Sequence, residues 1–143
     1  MGGTLSALAQ SLTATARISD MPTGQKSVIM AMRVAILARI EKQSPKPYLT
    51  RQFGDEVTAG HFAHIIELMG DCWPEPMVVH RPCCSSVTYD EMLLLDLVTA
   101  TVQNEPQHFD GLLSEMIGRS DRQKLGLVFA KFVNHFAYER KMR

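Results

Sequence analysis

Apolar residues recur at helical spacing between residues 125 and 136. At ~100° per residue, the apolar side chains of this segment fall on one broad face. That face consists of Leu125, Val128, Phe129, Phe132, Val133 and Phe136. Lys124, Lys131 and Asn134 fall on the opposite side, so the pattern predicts an amphipathic helix with one face in the core.

Two other segments are apolar on nearly every side. The first runs from Pro22 to Lys42, and proline suits the first turn of a helix. The second, Met92 to Val102, leaves only a narrow polar edge. A helix that is apolar all round is buried in a core or in an oligomer. Both segments are therefore predicted to be central helices.

Two short motifs mark predicted helix starts. Thr88-Tyr89-Asp90-Glu91 is a capping box, in which the threonine hydroxyl and the glutamate carboxylate each satisfy a free backbone N–H. Ser120-Asp121-Arg122-Gln123 has the same form. It is expected to open the last helix.

The remaining segments divide at prolines and glycines. Asp55 to Gly70 and Pro106 to Gly118 each carry apolar residues at helical spacing. Tyr48 to Gly54 is either a short helix or an irregular loop. Thr4 to Ala16 is predicted to be a peripheral helix.

These patterns predict an all-α fold. Residues 1–143 form a single domain, a bundle of five to six helices with two central apolar helices. Residues 1–20 contain the peripheral amino-terminal helix. Residues 72–87 form a connector that three prolines keep out of helix.

Composition bears on whether the protein binds nucleic acid, spans a membrane or lies in the cytoplasm. The chain has 15 basic and 15 acidic residues and no net charge, so it lacks the field that draws proteins onto nucleic acid. Its longest apolar stretch, Val28 to Ile40, contains two arginines and predicts a core helix rather than a membrane span. Three cysteines without a secretory signal indicate a reducing, cytoplasmic location. No phosphate-binding glycine loop, dinucleotide fingerprint or nucleophile elbow appears, so no cofactor and no catalytic residue is predicted.

The connector carries the side chains that are best suited to bind a metal ion or to react. Cys72, His80, Cys83 and Cys84 are the ligand types of a tetrahedral zinc site, but adjacent cysteines do not readily direct both thiolates to one ion. Thiol redox chemistry is a second interpretation. The third is structural, with the cysteines acting as small apolar side chains that fix the connector to the bundle.

Arg33 is a charged residue within a segment predicted to be central. A guanidinium in a core needs a carboxylate partner, because an unpaired buried charge is very costly. Asp96, on the polar edge of the other central helix, is the candidate partner. The alternatives are an arginine that reaches solvent along its aliphatic stem and an arginine that binds a small anion.

A candidate interface lies on the last helix. Leu127 and Tyr138 occupy its otherwise polar side. Together with the apolar surface of the Pro22–Lys42 helix, they favour a homodimer or a complex with another protein.

A histidine pattern on the Asp55–Gly70 helix is interpreted as a solvated face. His61, His64 and Glu67 turn progressively toward solvent at ~100° per residue and do not converge on one point. The spacing also lacks the i, i+4 histidine pair of zinc proteases.

One family resemblance is carried by Pro82-Cys83-Cys84 followed by Thr88-x-Asp90-Glu91 and a leucine-rich helix. Over roughly the carboxyl-terminal half, this pattern resembles small uncharacterised helical proteins of the sphingomonad group of alphaproteobacteria, a family without an assigned activity. The resemblance implies a bacterial cytosolic helical protein with a shared role for the cysteine pair. It supplies no catalytic residue.

The sequence therefore favours a non-catalytic helical module that associates with itself or with another protein. The alternative is a small metal-binding or thiol-redox protein that uses the connector.

Overall fold

The computed structural model describes residues 17–136, and the predicted helix from Thr4 to Ala16 lies outside this range. Within it the chain forms a short 3₁₀ helix, six α-helices and no strand. The α-helices are α1 (Thr23–Ile40), α2 (Lys46–Phe53), α3 (Glu56–Cys72), α4 (Tyr89–Val102), α5 (Pro106–Leu113) and α6 (Arg119–His135). The prediction of an all-α bundle is confirmed.

The two predicted central helices are α1 and α4. Ten of the 18 residues of α1 and half of the 14 residues of α4 are buried. This burial agrees with the apolar residues that the sequence places on nearly every side of both helices. Helix α1 packs against α2, α3 and α4, while α4 also packs against α5 and α6. The small side chains of Ala31 and Ala35 are buried in α1, where they let neighbouring helices approach closely.

The most extensive helix pair is α3 with α6, joined by the short α2. Four phenylalanine rings meet there with centroids between 5.1 and 5.4 Å apart in five pairs. They are Phe53, Phe62, Phe132 and Phe136, which we call the phenylalanine cluster. Tilted and edge-to-face contacts of this kind add to the free energy gained from burial.

The structure decides between the two interpretations of Tyr48 to Gly54 and places the ends of two other helices differently from the prediction. Tyr48 to Gly54 is mainly helical, and Gly54 ends α2 with a left-handed φ of 73°. Helix α3 continues past Gly70 to Cys72, so Cys72 belongs to the helix and not to the connector. Helix α5 ends at Leu113 and does not reach Gly118.

The predicted capping box at Ser120 is wrong. The helical hydrogen-bond ladder already begins where the Arg122 N–H donates to the Gly118 carbonyl at 3.0 Å. Gly118 therefore holds the cap position, without a side-chain hydrogen bond, and Ser120 lies inside the first turn. Arg122 donates to the Ile117 carbonyl at 2.8 Å and to Asp110 at 2.7 Å, which holds the chain at this earlier start.

The capping box at Thr88 is confirmed. The Thr88 hydroxyl accepts from the Glu91 N–H at 3.1 Å, and the Glu91 carboxylate accepts from the Thr88 N–H at 2.9 Å. Both residues are buried. This cap directs the Glu91 side chain back toward the connector.

Candidate functional site

A buried ion pair joins the two central helices. Arg33 of α1 is 1% exposed and Glu91 of α4 is 0% exposed. Arg33 Nε lies 2.7 Å from Glu91 Oε2, and Arg33 Nη2 lies 3.0 Å from Glu91 Oε1. Two parallel N–H···O bonds of this kind form the bidentate geometry that guanidinium and carboxylate favour.

The other guanidinium donors of Arg33 point at backbone carbonyls of the connector. Nη1 donates to Cys84 O at 2.7 Å and to Arg81 O at 3.1 Å, with Pro82 O at 3.5 Å. Nη2 donates to Ser86 O at 2.7 Å. A guanidinium has five N–H groups, and here each has an acceptor. We call Arg33, Glu91 and the carbonyls of 81, 84 and 86 the arginine clasp.

Glu91 is as fully bonded as Arg33. Besides the guanidinium it accepts from the Thr88 N–H, as described above, and from the His80 N–H at 3.0 Å. A carboxylate that accepts four hydrogen bonds is well compensated for its loss of water. The ion pair thus holds both ends of the segment from residue 80 to residue 88.

Asp90 and Thr88 hold the earlier part of the connector. Asp90 Oδ2 accepts from the Val78 N–H at 2.8 Å, and Asp90 Oδ1 lies 3.4 Å from Trp73 Nε1. The Thr88 hydroxyl donates to Val78 O at 2.7 Å. These contacts supply the extended connector with the hydrogen bonds that helices make internally.

The prediction that Arg33 pairs with a carboxylate is confirmed, but the predicted partner, Asp96, is wrong. Asp96 is exposed on α4, and the ion pair is formed by Glu91. Five residues separate the two, so at ~100° per residue they point to different sides of the helix. Partial burial raises the pKa of Asp96, and the charge of His108 opposes this effect. Because every donor of Arg33 is used, the predicted anion site at Arg33 has no free N–H group to offer.

The four predicted metal ligands do not gather. Among residues 17–136, no group of three or more histidine, cysteine, aspartate and glutamate side chains is placed to hold a metal ion. Cys72 is half-buried at the end of α3, Cys83 is exposed, and Cys84 is half-buried. His80 is fixed by its backbone N–H to Glu91.

The thiols of Cys72 and Cys84 have opposite electrostatic surroundings. Burial raises the pKa of Cys72, and the carboxylates of Asp121 and Asp71 raise it further. Hydrogen bonding by Ser86 lowers the pKa of Cys84, helped by the charge of Arg33. The Cys84 Sγ lies 3.3 Å from the Ser86 Oγ.

The predicted interface residue Leu127 protrudes from α6 and is 67% exposed. Tyr138, its predicted companion, lies outside the described residues. Leu127 borders a groove of about 780 Å³ between the end of α4, α5 and α6. Its apolar lining includes Val102, Phe109, Ala130 and Val133.

A stacked histidine pair joins α3 to α6. The rings of His61 and His135 lie 5.1 Å apart with an interplanar angle of 26°. Burial lowers the pKa of His61, and so do the positive charges of His135, Lys131 and His64. Asp55 opposes this shift. Sequence spacing places His61 beside His64, but it cannot show a contact between two residues on different helices.

This pair is expected to make stability depend on pH. The pKa of His61 is lower in the folded protein than its ordinary value of 6.5. Its contribution is therefore fully present above pH 6.5 and is lost as the pH falls through the folded pKa. In melts between pH 7.5 and 5, His61→Gln should lose less thermal stability than the wild type. His108→Gln serves as the matched control, and an equal loss in wild type and His61→Gln would contradict the prediction.

The fold and the clasp define this protein as an all-α helical bundle whose long connector is held by a buried arginine–glutamate pair. Comparisons with protein-family models, with curated proteins and with solved structures found no match. No helix within residues 17–136 has the length and apolar character needed to cross a membrane.

Proposed function

We propose that this protein is a non-catalytic helical module that self-associates through the face of α6 around Leu127. The observation that carries the proposal is the 67% exposure of this leucine beside an apolar groove of about 780 Å³. An exposed apolar side chain is common, but one that borders a large apolar groove is typical of an interaction site.

The α6 side of the groove is lined by small residues. Gly126 and Ala130 lie one turn apart on α6. A Cβ atom at Gly126 would lie 3.9 Å from the Phe109 ring, so this glycine leaves room for that ring. Phe109 and Val102 supply apolar surface on the opposite wall. The site therefore fits an apolar side chain presented by a helix.

The occupant that we propose is α6 of a second copy. Under a two-fold axis, the same surface patch faces itself, so a protruding residue and a receptor groove must lie together on one face. Leu127 and the groove satisfy this condition because Leu127 is part of the groove rim. Each copy would insert its leucine into the groove of the other.

The charges around the groove favour the same arrangement. Lys124 and Lys131 flank Leu127 at i−3 and i+4 and are exposed. Glu105 borders the groove on the other wall, where Asp110 is paired with Arg122 of the same chain. When α6 of one copy enters the groove of another, its lysines approach the Glu105 carboxylate, and the neutral net charge of the chain adds no general repulsion.

The test is the mass in solution of the wild type and of Leu127→Glu. We expect light scattering to give about twice the chain mass of 16.0 kDa for the wild type at tens of micromolar, and the chain mass for the variant. A glutamate in the apolar groove would leave a charge without a partner, and such a charge opposes association. Val57→Glu, at another exposed apolar residue, is the matched control and should remain a dimer.

A charge exchange makes the test specific to this face. Lys131→Glu should weaken association, and adding Glu105→Lys in the same chain should restore it. A monomeric wild type, or a dimer that Leu127→Glu leaves intact, would disprove the proposal.

A further inference from the structure

The adjacent cysteines lie in the backbone segment that Arg33 holds. Their side chains are accessible in part, since Cys83 is exposed and Cys84 is half-buried. Arg33 binds the carbonyl of Arg81 before the pair and that of Ser86 after it. The shortest of the three Nη1 contacts, 2.7 Å, is to the carbonyl of Cys84 itself. Any change in backbone conformation at the pair therefore acts directly on a fully buried charge.

A disulfide between neighbouring residues requires such a change. Consecutive Cα atoms lie about 3.8 Å apart, whereas disulfides usually join Cα atoms about 4.4–6.8 Å apart. The backbone from Cys83 to Cys84 must distort to close the bond. The distorted peptide includes the Cys84 N–H, which donates to the Arg81 carbonyl at 2.9 Å. The Cys84 carbonyl is bonded to the Cα atom at which the strained ring closes, so its hydrogen bond to Arg33 is directly affected by the distortion.

The surroundings of Cys84 also favour thiol chemistry at this residue over Cys72. Hydrogen bonding by Ser86 lowers the pKa of Cys84, and the charge of Arg33 adds to this effect, while burial and the charge of Glu91 oppose it. The net shift is downward, so a larger share of the Cys84 thiol is thiolate, the reactive form. The pKa of Cys72 is raised by burial and by the charge of Asp121, so the surroundings of this thiol differ from those of Cys84. Cys72 is therefore a built-in control.

We propose that Cys83 and Cys84 form a redox-sensitive pair that reacts with low-molecular-weight disulfides of the glutathione type, and that its oxidation loosens the arginine clasp. The Cys84 thiolate attacks one sulfur of the disulfide, and one thiolate leaves. The Cys83 thiolate then attacks the Cys84 sulfur, and the second thiolate leaves. Two protein thiols are thus oxidised, and the two protons they lose are taken up by the two leaving thiolates, so one small disulfide is reduced to two thiols.

The clasp and the redox state are linked in both directions. If oxidation weakens the clasp, an intact clasp must favour the dithiol by the same free energy. A strained disulfide is also more easily reduced than an unstrained one, so the reaction is reversible under mild conditions. The pair would therefore report an oxidising shift as a loss of stability in the connector.

The experiment uses the full-length protein with mixtures of oxidised and reduced glutathione. Intact-mass spectrometry should show a loss of about 2 Da, and the melting temperature of that product should fall by about 2–6 °C. Dithiothreitol should reverse both changes. Cys72→Ser should respond like the wild type, whereas Cys83→Ser and Cys84→Ser should show no loss of 2 Da.

Three results would overturn the proposal. They are a stable glutathione adduct in place of the 2 Da loss, an oxidised product that melts like the reduced protein, and a response that disappears in Cys72→Ser. The same measurements on Leu127→Glu separate this proposal from self-association, because the cysteine response is expected whether or not that variant dimerises.

Discussion

Replacing Arg33 by methionine is expected to lower the free energy of unfolding by about 3–5 kcal/mol. The substitution leaves the Glu91 carboxylate buried without its charged partner and removes the donors for the carbonyls of Cys84 and Ser86. Small domains are stable by about 5–15 kcal/mol in total, so the loss is a large share. Urea denaturation followed by circular dichroism measures it.

The same helix offers a matched control. Arg39 also forms an ion pair on α1, with Asp71, but the two side chains are 45% and 69% exposed. Solvent-exposed pairs contribute about 0–1 kcal/mol, so Arg39→Met should have a small effect. A cost for Arg33→Met no greater than that for Arg39→Met would contradict the role we assign to the clasp.

A double-mutant cycle separates the ion pair from the carbonyl contacts. Arg33→Met combined with Glu91→Leu should cost less than the sum of the two single variants, because neither charge is then left alone. A residual cost should remain, since the carbonyls of the connector and the N–H groups of Thr88 and His80 still lack partners. Additive single effects would show that Arg33 and Glu91 act independently.

Phe132→Ala is expected to destabilise the protein by about 3–5 kcal/mol. Its ring is fully buried and contacts the rings of Phe53, Phe62 and Phe136, so truncation leaves a cavity where α2, α3 and α6 meet. Phe132→Leu retains most of the volume and should cost clearly less. Both values come from the same denaturation measurement.

Glu67 is the control for the second prediction because it is exposed on α3, one of the three helices that form the phenylalanine cluster. Glu67→Ala should change the free energy of unfolding by no more than about 0.5 kcal/mol. If Phe132→Ala and Glu67→Ala had similar effects, the phenylalanine cluster would not be an important source of stability.

The two predictions concern different parts of the molecule. The clasp joins α1 and α4 to the connector, whereas the phenylalanine cluster joins α2, α3 and α6. The first depends on a buried ion pair and on its hydrogen bonds to partly buried backbone groups of the connector. The second depends on apolar burial and packing. Phe132→Ala is therefore expected to leave the glutathione response of Cys83 and Cys84 unchanged.

Local patterns in the sequence determined which segments become helices. The apolar face of α6, the apolar character of α1 and α4, and the Thr88 cap depend on residues within a few turns of one another. Local information was therefore enough to predict these helices, and the structure confirms them. Where a helix start depended on contacts from outside, as when Arg122 binds Asp110 and Ile117, the local motif at Ser120 misled.

Only the tertiary structure decided which side chains meet. The sequence showed that Arg33 needs a carboxylate, but choosing Glu91 over Asp96 requires the rotation of α4 relative to α1 and the path of the connector carbonyls. In the sequence, the capping box accounts for Glu91, so nothing local indicates that this residue also pairs with Arg33. His61 and His135 likewise come together through the packing of α3 on α6, because contacts between distant residues follow from how whole helices pack and not from the spacing within either one.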